Sequence, residues 1–298
     1  APTLRRMRHG VCILPEHPWA EAEPLWRRAE ELGFDHAWTY DHLVWAGLPD
    51  APWHSTVATL TAAAMVTERI RLGTLVASPN FRHPVTLARD VVTLDDISGG
   101  RVLLGVGAGG DLDARILGEE LTRGERSRRF REFVPLLRRC LREDHVNHAG
   151  EFYRAVDARN RTPSDTPLLV AADGPRAMSL AVQYAEGWVT SGPAGGEWAE
   201  RDAVERWWRG VTEAASRFTE AEQAAGDVVR RAPLDRYLVL DAMGPTALSS
   251  VESLTDQVGR AEELGFTDVI VHWPRPKAPY RAELAVLEGF AANLGLGR

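Results

Sequence analysis

RLGTLVASPNFRHPVTLARDVVTLDDISGGRVLLGVGAGGD, residues 71–111, decides the fold. Its leading run, Ile70 to Val76, is β-branched and apolar without a break, and reads as a strand. A helix starts after Pro84 and offers Leu87, Val91, Val92 and Leu94 to one side, and Ser98-Gly99-Gly100 stops it. Val102 to Val106 is a second buried strand. A strand covered on both faces is apolar throughout, and two of them joined by a helix make a βαβ unit. The crossover is right-handed and leaves both carboxyl ends on one side of the sheet. Ser78 to His83 and Gly107 to Asp111 therefore share that edge, where α/β sheets bind their ligands.

The alternation continues on both sides of this unit. Upstream, Arg8 to Leu14 is a strand ended by Pro15, Trp19 to Leu32 is an amphipathic helix stopped by Gly33, Phe34 to Tyr40 is a second strand, and Ser55 to Thr67 is helical. Downstream, a polar, irregular segment leads to an arginine-rich helix, Gly124 to Arg142. Residues 143–166 read as an inserted excursion carrying His145 and His148, expected to face solvent, and Tyr153. Strands follow at Leu168 to Ala172, Gly187 to Thr190, Leu234 to Asp241 and Phe266 to His272. Helices are expected at Arg176 to Ala185, Trp198 to Ala225 (burying Val204, Trp207, Trp208 and Val211), Val251 to Leu264 and Tyr280 to Leu294. The phrase EELGF occurs at 30–34 and again at 262–266, each time where a helix runs into a strand. Eight strands alternating with eight helices predict one (β/α)8 TIM barrel over residues 1–298, with an insertion after strand four. A doubly wound open sheet is the alternative.

Composition narrows the function. An apolar content of 44% suits a large core, and 35 basic against 42 acidic side chains give a net charge of −7 with no basic stripe, which argues against a nucleic-acid partner. No apolar run approaches the roughly 18 residues of a membrane helix, so no membrane partner is expected. The basic opening is followed by too short an apolar run for a signal peptide. Cys12 and Cys140, far apart, read as two reduced core thiols of a cytoplasmic protein.

In a barrel the chemistry lies just past the strand ends. That rule selects Glu16; Asp41, His42 and Trp45; Ser78, Asn80 and Arg82; Gly107 to Asp111; Asp173 and Gly174; Thr190 and Ser191; and His272, Trp273 and Arg275. Gly105, Gly107 and Gly110 satisfy GxGxxG, but no helix opens at once and no acidic strand end follows about 20 residues on, as a dinucleotide site requires. Small residues that let a flat ligand approach the backbone are the favoured reading. Gly174-Pro175 opening a helix is an anion site or a plain tight turn. His42 suits general acid–base work or is structural. A metal centre would need His42, His272 and carboxylates to converge, and no HxH or HExxH spacing supports one. Arg275 suits an acidic ligand group or a surface ion pair.

LGTLV at 72–76, FRHP at 81–84, LDDISGGR at 94–101, LGVGAG at 104–109, Asp41-His42 and AADGP at 171–175 together resemble the bacterial luciferase-like flavin oxidoreductases. The resemblance spans nearly the whole chain and implies the same barrel, a homodimer, and a flavin or deazaflavin at its mouth. It implies a non-proline cis peptide at Leu75-Val76, where a bulge carrying Thr74, Leu75 and Val76 meets the ring beside Asp41, Ala108 and Gly109, and phosphate contacts from Ala172, Asp173, Gly174, Pro175 and Thr190. Two branches stay open, one using FMN and oxygen as a monooxygenase and one using coenzyme F420 for hydride transfer. Asp41, His42 and Trp45 resemble positions of the F420 sugar-phosphate dehydrogenases, and Glu16 matches an acid there. Their proton-donating glutamate after the strand-four glycines is Gly110 here, and the tryptophan spacing differs by one residue. The expectation is therefore an F420-dependent reductase or dehydrogenase acting on a small organic substrate. Asp41, His42 and Glu16 are its catalytic candidates, and Trp45, Phe81, Arg82, Trp273 and Arg275 line its substrate pocket. The rivals are an FMN monooxygenase, a metal-assisted barrel hydrolase and a flavin-binding protein without catalysis.

Overall fold

Every strand of the main sheet has a partner on both sides, because the first pairs with the last. The computed structural model describes residues 6–160, 162–193, 203–226, 233–242 and 247–296. In chain order its elements are β1 (Arg8–Cys12), α1 (Trp19–Glu31), β2 (His36–Thr39), α2 (Thr56–Val66), β3 (Arg71–Ala77), α3 (Pro84–Ser98), β4 (Val102–Val106), α4 (Leu112–Ile116) and α5 (Arg123–Arg142). They continue as β5 (Val146–Ala149), β6 (Arg154–Ala158), β7 (Leu168–Ala171), α6 (Pro175–Tyr184), β8 (Gly187–Thr190), α7 (Ala203–Ala225), β9 (Asp235–Val239), α8 (Val251–Glu263), β10 (Asp268–His272) and α9 (Leu284–Asn293). The parallel order β1-β10-β9-β8-β7-β4-β3-β2 closes into a barrel, with Gly10 beside both Ile270 of β10 and His36 of β2. This is the (β/α)8 TIM barrel that the alternation predicts, and the open sheet is excluded.

The pleat sorts side chains into two cores. Cys12, Trp38, Tyr40, Leu75, Leu103, Leu169, Val189, Tyr237, Val239 and Ile270 fill the interior. Their neighbours in sequence, among them Val11, Ala37, Leu72, Val102 and Val271, pack outward under the helices. The floor of the barrel is polar and closed. Asp268, fully buried, accepts from Arg8 Nε (2.7 Å) and Nη2 (2.6 Å), Thr267 Oγ1 (2.6 Å) and His36 Nε2 (3.0 Å). The Trp38 indole N–H donates to His36 Nδ1 at 2.6 Å. An indole can only donate, so His36 carries its proton on Nε2.

Several expectations need correction. The segment after Asp111 is not irregular throughout, since it holds α4. A capping box, with Thr122 and Glu125 bonding each other's backbone N–H, then starts α5. The excursion contains an antiparallel hairpin, β5–β6. There His148 is half-buried against Glu132, at 2.9 Å, while His145 is solvent-facing as expected. Buried Tyr153 donates to the Pro79 carbonyl and so supports the β3–α3 loop. Val204 is exposed, whereas Trp207, Trp208 and Val211 are buried. Helix α7 is described from Ala203, and the expected start at 198–202 lies outside the described residues. The last helix begins at Leu284 rather than Tyr280. Residues 274–282, with three prolines, instead form a loop in which Arg275 N–H donates to the Tyr280 carbonyl and Ala282 N–H to the Arg275 carbonyl. Both cysteines are free and buried. Among the described residues no helix is long and apolar enough to cross a membrane.

Candidate active site

The carboxyl ends of the strands gather the expected residues at one mouth, and the pleat decides what each can do. Past β2 the chain continues Tyr40-Asp41-His42, and the three side chains take separate partners. Tyr40 points into the barrel. The Asp41 carboxylate, buried, accepts from Arg82 Nε (3.1 Å) and Nη2 (2.7 Å). Arg82 also lies 4.8 Å over the Phe81 ring. Two candidates from different strand ends thus form one bidentate, charge-neutral pair. His42 Nδ1 lies 2.8 Å from Asp113 Oδ2, and Asp113 Oδ1 accepts from the Leu43 N–H at 2.8 Å. Asp113, on α4, is 2% exposed and was not among the sequence candidates. With Asp113 as a carboxylate, Nδ1 carries the proton and Nε2 is an acceptor. Among the described residues, Nε2 has no hydrogen-bond partner, and the side chain is 24% exposed.

β3 carries the implied distortion. The Leu75-Val76 peptide is cis, and the register against β4 shifts between Thr74 and Ala77. Thr74 Oγ1 donates to the Gly105 carbonyl at 2.7 Å. Two of the glycines opposite, Gly105 and Gly107, are required by this bulge, while a Cβ on Gly110 would meet open space. A Cβ on Gly105 would strike the Thr74 carbonyl, and one on Gly107 would come 2.7 Å from Val76 Cγ2. Beyond them, Gly109 has φ +66° and lies against Ser78 and Asn80. Asn80 Nδ2 donates to the carbonyls of Ala108 (3.1 Å) and Gly110 (2.5 Å), which fixes the amide orientation. Asn80 Oδ1 is then left as a buried acceptor with no partner among the described residues.

On the opposite side, Ala172 is buried, and Thr190 Oγ1 donates to Asp173 Oδ1 at 2.8 Å and accepts from the Gly192 N–H at 3.1 Å. Crowding by protein atoms raises the Asp173 pKa, and the Thr190 bond offsets part of that rise. Gly174 caps α6 with Pro175 as its first residue, no side chain closes that helix end, and a Cβ on Gly174 would meet open space.

The aromatic wall is Tyr40, Trp45, Trp53 and Tyr280. Trp45 meets Tyr40 edge-on at 5.2 Å and stacks towards Tyr280 at 6.1 Å. Trp273 does not join it. His272 points inward, so its neighbour Trp273 turns out into the layer under the helices, beside Ile13 and Leu25. Arg275 and Glu16, expected in different roles, bind each other at 2.6 and 2.8 Å. Arg275 Nη1 also donates to the carbonyls of Lys277 and Pro279, so four of its five N–H groups are engaged within the protein. Arg275 is thus a clasp of the 274–282 loop, and little of it is left to hold an acidic substrate. Among the described residues no group of three or more His, Cys, Asp or Glu side chains is arranged to hold a metal ion.

The comparisons agree with this architecture. The F420-dependent glucose-6-phosphate dehydrogenase of Amycolatopsis mediterranei is 38% identical over 173 residues, 55% of this chain and 51% of that one. That of Nakamurella multipartita is 30% identical over 263 residues, 82% and 76% of the two chains. The chain thus spans about half the length of the first relative and three quarters of the second. An F420-dependent secondary alcohol dehydrogenase, solved with an F420-acetone adduct, shares the fold with a TM-score of 0.79 at 17% identity, over 98% of this chain and 99% of its own. Residues 7–228 match the luciferase-like monooxygenase family, and the chain belongs to that family.

Proposed function

We propose that the protein is an F420-dependent oxidoreductase that moves a hydride between the cofactor and a small hydroxyl or carbonyl compound. The observation that carries this reading is the His42–Asp113 pair, which presents an unpaired Nε2 at the mouth of a barrel with a β3 bulge. The residues present fit a flat deazaflavin. Asn80 Oδ1 is a buried acceptor without a donor, and a ring edge bearing N–H groups supplies one. The open N-terminal end of α6 suits the phosphate of the tail. Thr74, Leu75, Val76, Asp41, Ala108 and Gly109 would hold the ring, and Ala172, Asp173, Gly174, Pro175 and Thr190 the tail. When bound, F420 accepts or donates a hydride at its ring. His42 Nε2 takes the hydroxyl proton as the substrate C–H leaves as hydride, and returns it in the reducing direction. Asp113 orients the imidazole and stabilises its protonated form. Trp45 and Phe81 would form apolar walls. Arg82, tied to Asp41, keeps the β2 and β3 loops together.

Titration with F420 and, separately, FMN, each oxidised and reduced and followed by fluorescence, tests the reading. Tight F420 and weak FMN binding is expected. The reverse would replace it with oxygen chemistry on FMN, and binding of neither would end it. His42→Ala is expected to lower kcat by about 10²-fold or more with F420 binding kept. Unchanged turnover removes His42 from the reaction. The free thiols suit a cytoplasmic setting, and the resemblance suits a homodimer of twice 32.9 kDa, which light scattering would show.

A further inference from the structure

From two members of the aromatic wall, Tyr280 and Tyr40, a line of hydrogen bonds runs to His272 and Asp241 that this reading does not use. Asp241 follows β9, and its Oδ1 lies 2.5 Å from His272 Nδ1, while Oδ2 accepts from the His272 backbone N–H at 3.0 Å. His272 Nε2 lies 2.7 Å from the Tyr40 hydroxyl, which lies 2.9 Å from the Tyr280 hydroxyl. His272 is fully buried, Tyr40 is 7% exposed, and Tyr280 is the least buried of the three rings. Tyr280 stacks on His272 at 3.6 Å, nearly parallel, and its outer face lies towards Trp45 at the mouth. It holds φ +63°, a backbone state rare for a bulky residue, inside the loop that Arg275 clasps.

We propose that Asp241, His272, Tyr40 and Tyr280 form a proton relay that opens at the Tyr280 hydroxyl, a proton-exchange point at the mouth separate from His42. The inference rests on reading the mouth as the ligand site. A carboxylate only accepts, so His272 Nδ1–H donates to Asp241 and Nε2 accepts. The Tyr40 O–H then donates to Nε2, and the Tyr280 O–H to the Tyr40 oxygen. The line therefore has one direction and ends in free acceptor capacity on Tyr280. When a ligand hydroxyl gives its proton to the Tyr280 oxygen, the Tyr280 proton passes to the Tyr40 oxygen and the Tyr40 proton to His272 Nε2. Three bonds to hydrogen break and three form. The ligand oxygen is left negative, and the positive charge rests on the imidazole against Asp241. Burial raises the Tyr40 and Tyr280 phenols far above their usual range, so both conduct as neutral hydroxyls. The other titratable neighbours are quiet. Burial, with Asp241 close by, pushes the Cys12 thiol well up, so it stays protonated, and Arg275 is engaged by Glu16. His42 lies 6.2 Å from Tyr40, ring to ring, with its Nδ1 on Asp113.

The test follows His272 by NMR in ¹⁵N-histidine-labelled full-length protein, assigned by loss of its signal in His272→Asn. Neutral His272 is expected to carry its proton on Nδ1 and to take a second on Nε2 as pH falls. A protonated Nε2 donates to the Tyr40 oxygen, so Tyr40 must turn its own proton to Tyr280. Tyr280→Phe keeps the stacked ring but removes that acceptor, and should lower the titration midpoint of His272 by about one pH unit, a tenfold change. In a Tyr40→Phe background the same substitution should do nothing. A merely structural role of the Tyr280 ring would move neither result. The proposal is overturned by a neutral His272 protonated on Nε2, by a His272 that never protonates while folded, by an unmoved midpoint in Tyr280→Phe, or by the same shift with Tyr40 absent. If Tyr40→Phe does not fold, Tyr280→Phe alone decides. The measurement needs no cofactor, so its failure is separate from failure of the F420 titration.

Discussion

Asp268→Asn is the substitution whose cost the floor of the barrel lets one work out. Asp268 is fully buried and accepts four hydrogen bonds, two from the Arg8 guanidinium. Breaking a buried pair from one side typically costs about 3–5 kcal/mol, because the remaining charge is left uncompensated. Here the lower end applies. Arg8 keeps a second partner, Asp235, at 2.6 Å, and the asparagine oxygen still accepts one bond. The expected loss is about 3 kcal/mol at pH 7, which moves the urea midpoint down by up to about 1 M, since the denaturant slope of a chain this long is about 3 kcal/mol/M or more. Tryptophan fluorescence reports it directly, since Trp38 belongs to the same network through His36. The pH dependence adds a second signature. Burial alone would raise the Asp268 pKa, but the bonds from His36 and Arg8 outweigh it and hold the carboxyl below its usual range. A carboxyl with a depressed folded pKa stabilises above its unfolded value, about 3.9, and loses that contribution as pH falls through the folded pKa. The asparagine variant has no such group, so the gap between the two proteins should narrow on acidification below about pH 4. A loss under about 1 kcal/mol at pH 7, or a gap that stays constant with pH, would refute the account.

Two further predictions concern the mouth. Asp113→Asn sets an amide N–H against His42 Nδ1–H and favours the opposite tautomer. On any hydroxyl compound the wild type oxidises with F420, kcat should fall by about 10²–10³-fold with F420 binding little changed, and steady-state kinetics beside the fluorescence titration checks both. Arg275→Ala removes the clasp on Glu16 and on the carbonyls of Lys277 and Pro279. Amide hydrogen exchange across residues 275–282 should rise, by about tenfold for a loop that loses about 1.4 kcal/mol of protection, and an unchanged pattern would show that the loop holds without it.

The fold was legible because it is written locally. β3 and β4 are apolar on both faces, most of the long helices show one apolar side, and Gly33, Gly99 and Gly265 punctuate the elements, so residues 71–111 already contain the repeating unit. What the sequence left unread depends on partners far apart in the chain. Asp113 lies 71 residues from His42, and Asp241 lies 31 from His272, with no periodicity joining them. The acid sits three residues past Gly110, on a one-turn helix too short for a pattern to announce. The need for Gly105 and Gly107 has no local signal either, because the bulge that crowds them is on the neighbouring strand.

Trp273 is the instructive miss, because the rule that places it was available. In β10, Ile270 and His272 face the barrel interior, so a period of two sends Trp273 outward. The same rule applied to β2 puts Trp38 and Tyr40 on one inward row, and applied to β9 it puts Tyr237, Val239 and Asp241 there. Three inward rows therefore deliver Tyr40, His272 and Asp241 to the same level of the mouth from strands that the barrel closure makes near neighbours. Position past a strand end selects the residues of such a site. Parity along the strand decides which of them meet inside it, and here it joins a histidine to a carboxylate and a phenol while it removes the tryptophan beside that histidine.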